Sequence, residues 1–324
     1  MQYIGRFFSF TGLFLTAMVS NGEPFAYVSN EYDDTVTVID TFTDEVVATI
    51  KVGDRPRGIG LSPDGRKLYI ALGSDNAIGV VGTVTRKIVD RLPCGTDPET
   101  FALSPDGSRL YISNEDANTA TVLDTASGIV LARIPVGVEP EGVAVSPDGR
   151  WVYVTAESTH TVSVIDTRND KVVNTILVGS RPRGATFSPN GKRAYVTAEI
   201  GGVVSVIDVE RSEITGEIRL SIEGEVVKPM GVVVSPDGSR VYVSTGRANH
   251  VAIIDGASLE VLRYVAVGGR VWGLALTTDG RKLYTANGGS HNVSVIDTDR
   301  NVVIATIPTG RGPWGVVVDA SREK

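Results

Sequence analysis

The chain has 324 residues, 42% of them hydrophobic and 21% charged, which suits one large domain or two ordinary ones and is too apolar for wholesale disorder. A formal net charge of -7, with no long run of Lys or Arg, excludes a surface built for nucleic-acid phosphates. The single cysteine, Cys94, excludes a disulfide framework and haem attachment through C-x-x-C-H.

Residues 1–22 carry one positive charge at Arg6, an apolar run from Phe7 to Val19, and then the small residues Ser20 and Gly22. This order predicts a signal peptide and a periplasmic or secreted mature protein. The apolar run is about 13 residues against the roughly 20 that a membrane helix needs, so no span is expected after cleavage.

Residues 23–324 repeat themselves. A tyrosine marks each unit at Tyr27, Tyr69, Tyr111, Tyr153, Tyr195, Tyr242 and Tyr284, a step of 42 residues with one step of 47. Short stretches such as "TVSVID" alternate and favour β-branched residues, and turn formers separate them every eight to twelve residues, so each unit is predicted to be four strands. "SPDG" at Ser62, Ser104, Ser146 and Ser235 supplies Pro and Gly where a turn needs them, and its aspartates are expected to make turns. Seven such units predict an all-β fold, a single seven-bladed β-propeller of four-stranded blades. The first unit starts at its second strand, "FAYVSN", and the chain ends with a spare first strand, "PWGVVVDASREK". The C-terminal strand is therefore expected to join the N-terminal blade and close the ring.

Cys94 occupies the slot of Val52, Val136, Val178 and Val267 and is expected to be a buried hydrophobe. Trp151 stands where other units have Lys or Arg and is expected to be exposed on the face opposite the mouth. The five extra residues near "SIEGEVVK" are expected to lengthen one mouth loop.

Units that agree reveal scaffold, so systematic disagreement points to function. The x-P-x-G loop between blades varies most. Its third position reads Arg57, Glu99, Glu141, Arg183, Met230, Trp272 and Trp314, and its first reads Arg55, Asp97, Glu139, Arg181, Lys228, Arg270 and Gly312. Trp and Arg anchor interfaces most often, and guanidinium pairs suit carboxylates. The candidate ligand- or partner-binding residues are Arg55, Arg57, Glu99, Glu139, Glu141, Arg181, Arg183, Arg270, Trp272 and Trp314. Glu31, Glu115, Glu157, Glu199, His160, His250 and His291 fall on neighbouring loops. His160 and His291 sit in turn slots filled elsewhere by Asn76 and Asn118, and no histidine spacing fits zinc, so no metal site is expected.

"VYVTAESTHTVSVIDTRNDKVVNTILVG" and "VGDRPRGIGLSPDGRKLYIA" resemble YVTN-type β-propeller repeats. The variants "RPRG", "DPETFALSPDG", "VGVEPEG", "AEIGG", "RVWGLA" and "PWGV" are similar, more narrowly, to propellers associated with pyrroloquinoline-quinone (PQQ)-dependent catabolism. That resemblance implies a periplasmic accessory of quinoprotein alcohol dehydrogenase and its c-type cytochrome, and it supplies no catalytic residue.

The leading expectation is thus a monomeric, non-catalytic binding or scaffold protein that requires no cofactor. Its mouth would take a partner protein or a small anionic ligand, PQQ included, with the four arginines of the two R-P-R loops on its carboxylates and Trp272 or Trp314 on its plane. The alternative is a propeller enzyme of the lactonase type acting on an anionic substrate, with Glu115, Glu157, Glu199 or His160 beside Arg183. A mouth carboxylate with a raised pKa would favour the enzyme.

Overall fold

The computed structural model describes residues 25–319. The predicted signal segment lies outside them. Twenty-eight strands, and no helix among the described residues, form seven four-stranded antiparallel sheets. The first blade comprises β28 (Pro313–Val318), β1 (Phe25–Asn30), β2 (Thr35–Asp40) and β3 (Glu45–Lys51), in that order from the axis outward. Val316, Val317 and Val318 pair with Val28, Tyr27 and Ala26, so the ring closes as expected.

Along β2, alternation would predict one wet face, yet Thr37 is 1% exposed. Blades stack face to face, so both sides of a middle strand are covered. Small hydroxyls tolerate this because they find partners: Asn30 donates to Thr37 at 2.9 Å and Asn287 to Ser294 at 2.9 Å. Outer strands such as β3 remain largely exposed, and each carries a register shift against its neighbour that discourages further strand pairing.

The aspartates of the Ser-Pro-Asp-Gly turns bond within the turn. Asp64 accepts from Ser62 Oγ at 2.6 Å and from the Arg66 N–H at 3.1 Å, and Gly65 takes φ +66°. Cys94 is fully buried, which pushes its thiol up to about 12. Trp151 differs from expectation. It is half-buried, packed against the fourth and fifth blades, with the Arg150 guanidinium 4.5 Å from its ring centroid.

The marker tyrosines are buried between blades. At the junction of the seventh and first blades, Tyr284 and Lys282 both bond Asp44, at 2.6 and 2.8 Å. Near the axis the glycine of x-P-x-G allows adjacent inner strands to touch: a Cβ at Gly184, Gly231 or Gly273 would lie 2.6–2.7 Å from the carbonyl oxygen of Met230, Trp272 or Trp314. Five blades pin that same carbonyl position with a hydroxyl two residues after the marker tyrosine. Ser29, Ser113, Thr155, Thr197 and Ser244 donate to the carbonyls of Arg57, Glu141, Arg183, Met230 and Trp272 at 2.5–2.7 Å. The scaffold therefore fixes the mouth residues through their backbones.

Candidate functional site

The mouth residues stand at the start of the inner strands, directly after a turn in the left-handed region. Arg55, Asp97, Glu139, Arg181 and Arg270 have φ between 44° and 59°, which is unfavourable for a residue with a side chain. Each is held there by an acceptor 21 residues earlier. The N–H of Arg55 donates to Asp34, those of Asp97, Glu139 and Arg270 to Asn76, Asn118 and Asn249, and that of Arg181 to His160 Nδ1. His291 Nδ1 accepts from Gly312 in the same way at 3.1 Å. His160 and His291 are turn residues that position the mouth.

The two R-P-R loops open the inner strands β4 (Pro56–Leu61) and β16 (Pro182–Phe187), and each organises a lattice of carboxylates. In the first, Arg55 reaches Asp97 and Glu99 at 2.6 Å each, and Arg57 reaches Glu31 at 2.9 Å and also Glu99. Glu99 is fully buried, and its pKa is pushed up to about 9, by burial first and then by the charge of Glu141, against the pull of Arg57. Burial also works against the charge of Arg57, but Glu99, Glu31 and Glu141 outweigh it and raise its pKa.

In the second lattice Arg183 meets Glu141 at 3.0 Å, Glu199 at 2.9 Å, and Glu157. Arg181 holds Glu157 at 2.6 Å, and Lys228, from the lengthened loop before β20 (Val232–Val234), reaches Glu199 at 3.2 Å. Glu157 is pushed up to about 7 by burial and by the neighbouring charge of Glu141, against Arg183 and Arg181. Burial acts the same way on Glu199, but Arg183 and Lys228 reverse it and lower its pKa.

The remaining arc of the mouth is apolar. Trp272 and Trp314 stack with centroids 6.0 Å apart and planes at 25°. Arg183 lies 5.8 Å from the Trp272 ring centroid and Arg57 lies 5.9 Å from that of Trp314, so the tryptophans link the two lattices. A cavity of about 220 Å³ opens on the axis, and Glu141, Arg183, Met230, Trp272 and Trp314 are in its wall. Arg57 and Glu99 are not in that wall.

Of the ten candidates, all but Glu139 and Arg270 join this assembly of ion pairs and stacked rings. Glu139 hydrogen-bonds Ser158 and forms no ion pair among the described residues. Arg270 lies on Trp272, 4.9 Å from the ring centroid. Sequence comparison placed Glu31, Glu157 and Glu199 on loops without pairing them to the arginines. The usable signal was a spacing, since Glu31 and Glu157 each precede an R-P-R arginine, Arg57 and Arg183, by 26 residues.

The four arginines expected to take the carboxylates of PQQ do not stand free. Arg55, Arg57, Arg181 and Arg183 are all paired with carboxylates of the protein. Oxygens of Asp97, Glu99 and Glu115 come within 4.8 Å of one another, as a metal would require, but Arg55 already bonds the first two.

A family model described as "Lactonase, 7-bladed beta-propeller" matches residues 17–131 and 172–303. Among solved structures, the chain is 26% identical to Kuenenia stuttgartiensis hydrazine synthase, covering 81% of this chain and 89% of that one with a TM-score of 0.74. A protein of unknown function from Desulfotomaculum acetoxidans is 17% identical over 91% and 99% of the two chains, with a TM-score of 0.79. A protein provisionally assigned as a 6-phosphogluconolactonase, from Bacteroides fragilis, is 17% identical over 93% and 99%, also with a TM-score of 0.79, and shares the fold. No curated relative matches the sequence. The family match corrects the expectation of a non-catalytic scaffold accessory to PQQ-dependent oxidation and favours the enzyme alternative.

Proposed function

Because the chain belongs to the family of seven-bladed β-propeller lactonases, we propose that it hydrolyses a lactone in the axial cavity, using Glu141, Glu157 and Arg183. The observation that carries this reading is the Glu141 carboxylate and the Arg183 guanidinium together in the cavity wall, with Glu157, whose pKa is near 7, bound to the same guanidinium outside that wall.

Lactone opening needs a base for the attacking water, a positive group for the oxyanion, and an acid for the departing ring oxygen. Glu141, in the wall, takes the proton of the water as its oxygen bonds to the carbonyl carbon. Arg183 stabilises the negative charge that develops on the carbonyl oxygen. As the ring C–O bond breaks, Glu157 supplies a proton to the alkoxide, giving the hydroxy acid, and the proton on Glu141 then restores the pair. Glu157 remains protonated up to about pH 7, so a proton is available under ordinary conditions.

A lactone panel followed by acid release tests this reading. Glu141→Gln is expected to lower kcat by 10² to 10⁴. Failure to open any lactone above the buffer rate would overturn it. Export to the periplasm through residues 1–22 belongs to the same proposal, and fractionation of cells expressing the full chain checks it.

A further inference from the structure

Glu141, the base of ring opening as derived above, stands near the start of β12 (Pro140–Val145), and the residue that faces its backbone from β8 (Pro98–Leu103) breaks the repeat. The last position of x-P-x-G holds Gly58, Gly142, Gly184, Gly231, Gly273 and Gly315 in six blades and Thr100 in the third. Resting on the lactonase reading, we propose that Thr100 is a positioning residue, which sets Glu141 against Arg183 in the cavity wall by spacing and pinning the Glu141 backbone.

A glycine at this position lets neighbouring inner strands touch. At Gly142, Gly184, Gly231, Gly273 and Gly315 a Cβ would fall no farther than 2.8 Å from a carbonyl oxygen of the next blade, that of Arg183, Met230, Trp272, Trp314 and Arg57 in turn, closer than a real Cβ approaches. Thr100 carries a Cβ, so the Glu141 carbonyl stands farther from the third blade than its counterparts stand from theirs. The hydroxyl fills the space between them: Thr100 Oγ1 donates to the Glu141 carbonyl at 2.6 Å. Ser113 donates to the same oxygen at 2.5 Å and is itself held by the Thr100 N–H at 3.1 Å. The carbonyls of Arg57, Arg183, Met230 and Trp272 accept one such hydroxyl each among the described residues. Two bonds fix the Glu141 oxygen in direction as well as distance.

The place of Glu141 in the ring shows why that spacing matters. Its ion pair among the described residues is with Arg183, one blade onward, and Thr100, Glu141 and Arg183 share the cavity wall. One blade back lies the buried Glu99. Burial first, and then the charge of Glu141, pushes up both Glu99 and Glu157, so the Glu141 carboxylate is felt by both lattices. A backbone allowed to close on the third blade would carry Glu141 toward Glu99 and away from Arg183, separating the base from the group that receives the oxyanion.

The test uses Thr100→Gly, which restores the residue of the other blades, and Thr100→Ser, which keeps the hydroxyl; Ser113 holds the Glu141 carbonyl in both. In the crystal structure of Thr100→Gly the 3.0 Å contact between Glu141 and Arg183 is expected to lengthen beyond the ion-pair limit of about 4 Å. With a lactone that the wild type opens, kcat should fall about tenfold while KM stays within about twofold. Glu157 faces Arg181, Arg183 and Glu141, so losing the nearby charge of Glu141 should move the limb of kcat near pH 7 to lower pH. Thr100→Ser should restore both kcat and the limb. A change of packing alone would lower Tm and leave the limb in place. An unmoved contact in Thr100→Gly overturns the proposal whether or not lactones open, and so does a broken contact with wild-type kcat. If the wild type opens no lactone, the lactonase reading fails, and the contact alone decides whether Thr100 positions Glu141.

Discussion

The two R-P-R loops are the same three residues in the same register of blades three apart, yet they build different chemistry. Arg55 and Arg57 enclose a Glu99 that is wholly shut off from the cavity, whereas Arg183 and Glu141 form part of the cavity wall. The first lattice sets Glu31, Asp97 and Glu99 against two cations, and the second sets Glu141, Glu157 and Glu199 against three. Lys228, at the first position of the x-P-x-G loop of the sixth blade, makes that difference. A motif therefore does not state its role. Which carboxylates reach it, and whether the group faces open space, decide between support and reaction.

Exchanging the arginines breaks the comparison most directly. Arg183→Met should lower kcat/KM by 10² to 10³, the loss typical of removing a group that stabilises an oxyanion. Arg57→Met should leave turnover within a few-fold but destabilise the fold by up to about 3 kcal/mol, because the buried Glu99 loses one of its two cationic partners and keeps Arg55. Steady-state kinetics and denaturant unfolding on both variants separate the two roles.

A subtler difference appears in pH dependence. Glu157 must be protonated to serve the leaving oxygen, so kcat, corrected for spontaneous opening, should fall as pH rises through about 7. Glu157→Gln should lower kcat and remove that limb. Stability responds to both lattices in the same direction. Glu157 and Glu99 hold protons more tightly in the folded chain than at the ordinary glutamate value of 4.5, so the native state binds more protons above that pH. Their contribution is complete below about pH 4.5 and is lost as pH rises through about 7 for Glu157 and about 9 for Glu99. Tm should therefore decline from pH 5 to pH 9, and Glu99→Gln should flatten the upper part of the decline.

The smallest expected effect concerns the hydroxyl pins. Thr155→Val removes the 2.7 Å bond to the Arg183 carbonyl and should destabilise by about 1 kcal/mol. In the first lattice the corresponding residue is Ser29, which bonds the Arg57 carbonyl at 2.6 Å, so Ser29→Ala should cost similar stability and leave turnover nearly unchanged. Loss of activity in Thr155→Val beyond the loss of stability would show that the backbone of Arg183 needs this anchor.

Much of the fold was legible because a repeat states its register several times. The tyrosine spacing gave seven blades, and the spare strand at Pro313 gave the closure. Burial of Thr37 and its counterparts was not legible, since alternation within one strand says nothing of a second blade covering the polar face. At the site, divergence between units located the mouth but did not decide whether its arginines were free for a ligand or paired with neighbouring glutamates. Their partners Glu31 and Glu157 lie one blade earlier, and only the curvature of the ring brings them within 3 Å. Reading each loop alone therefore counted as ligand-binding charges that the protein neutralises itself.

The latch that completes the first blade also carries Trp314. The last strand of the ring thus supplies one of the two stacked tryptophans of the mouth, so the apolar wall does not exist until the circle is shut. An opened or truncated propeller would retain Arg183, Glu141 and Glu157 on adjacent blades and still lack the surface against which a ligand is pressed. Occupancy of the cavity by a ligand would in turn hold the latch closed, making ring integrity and ligand binding a single linked equilibrium.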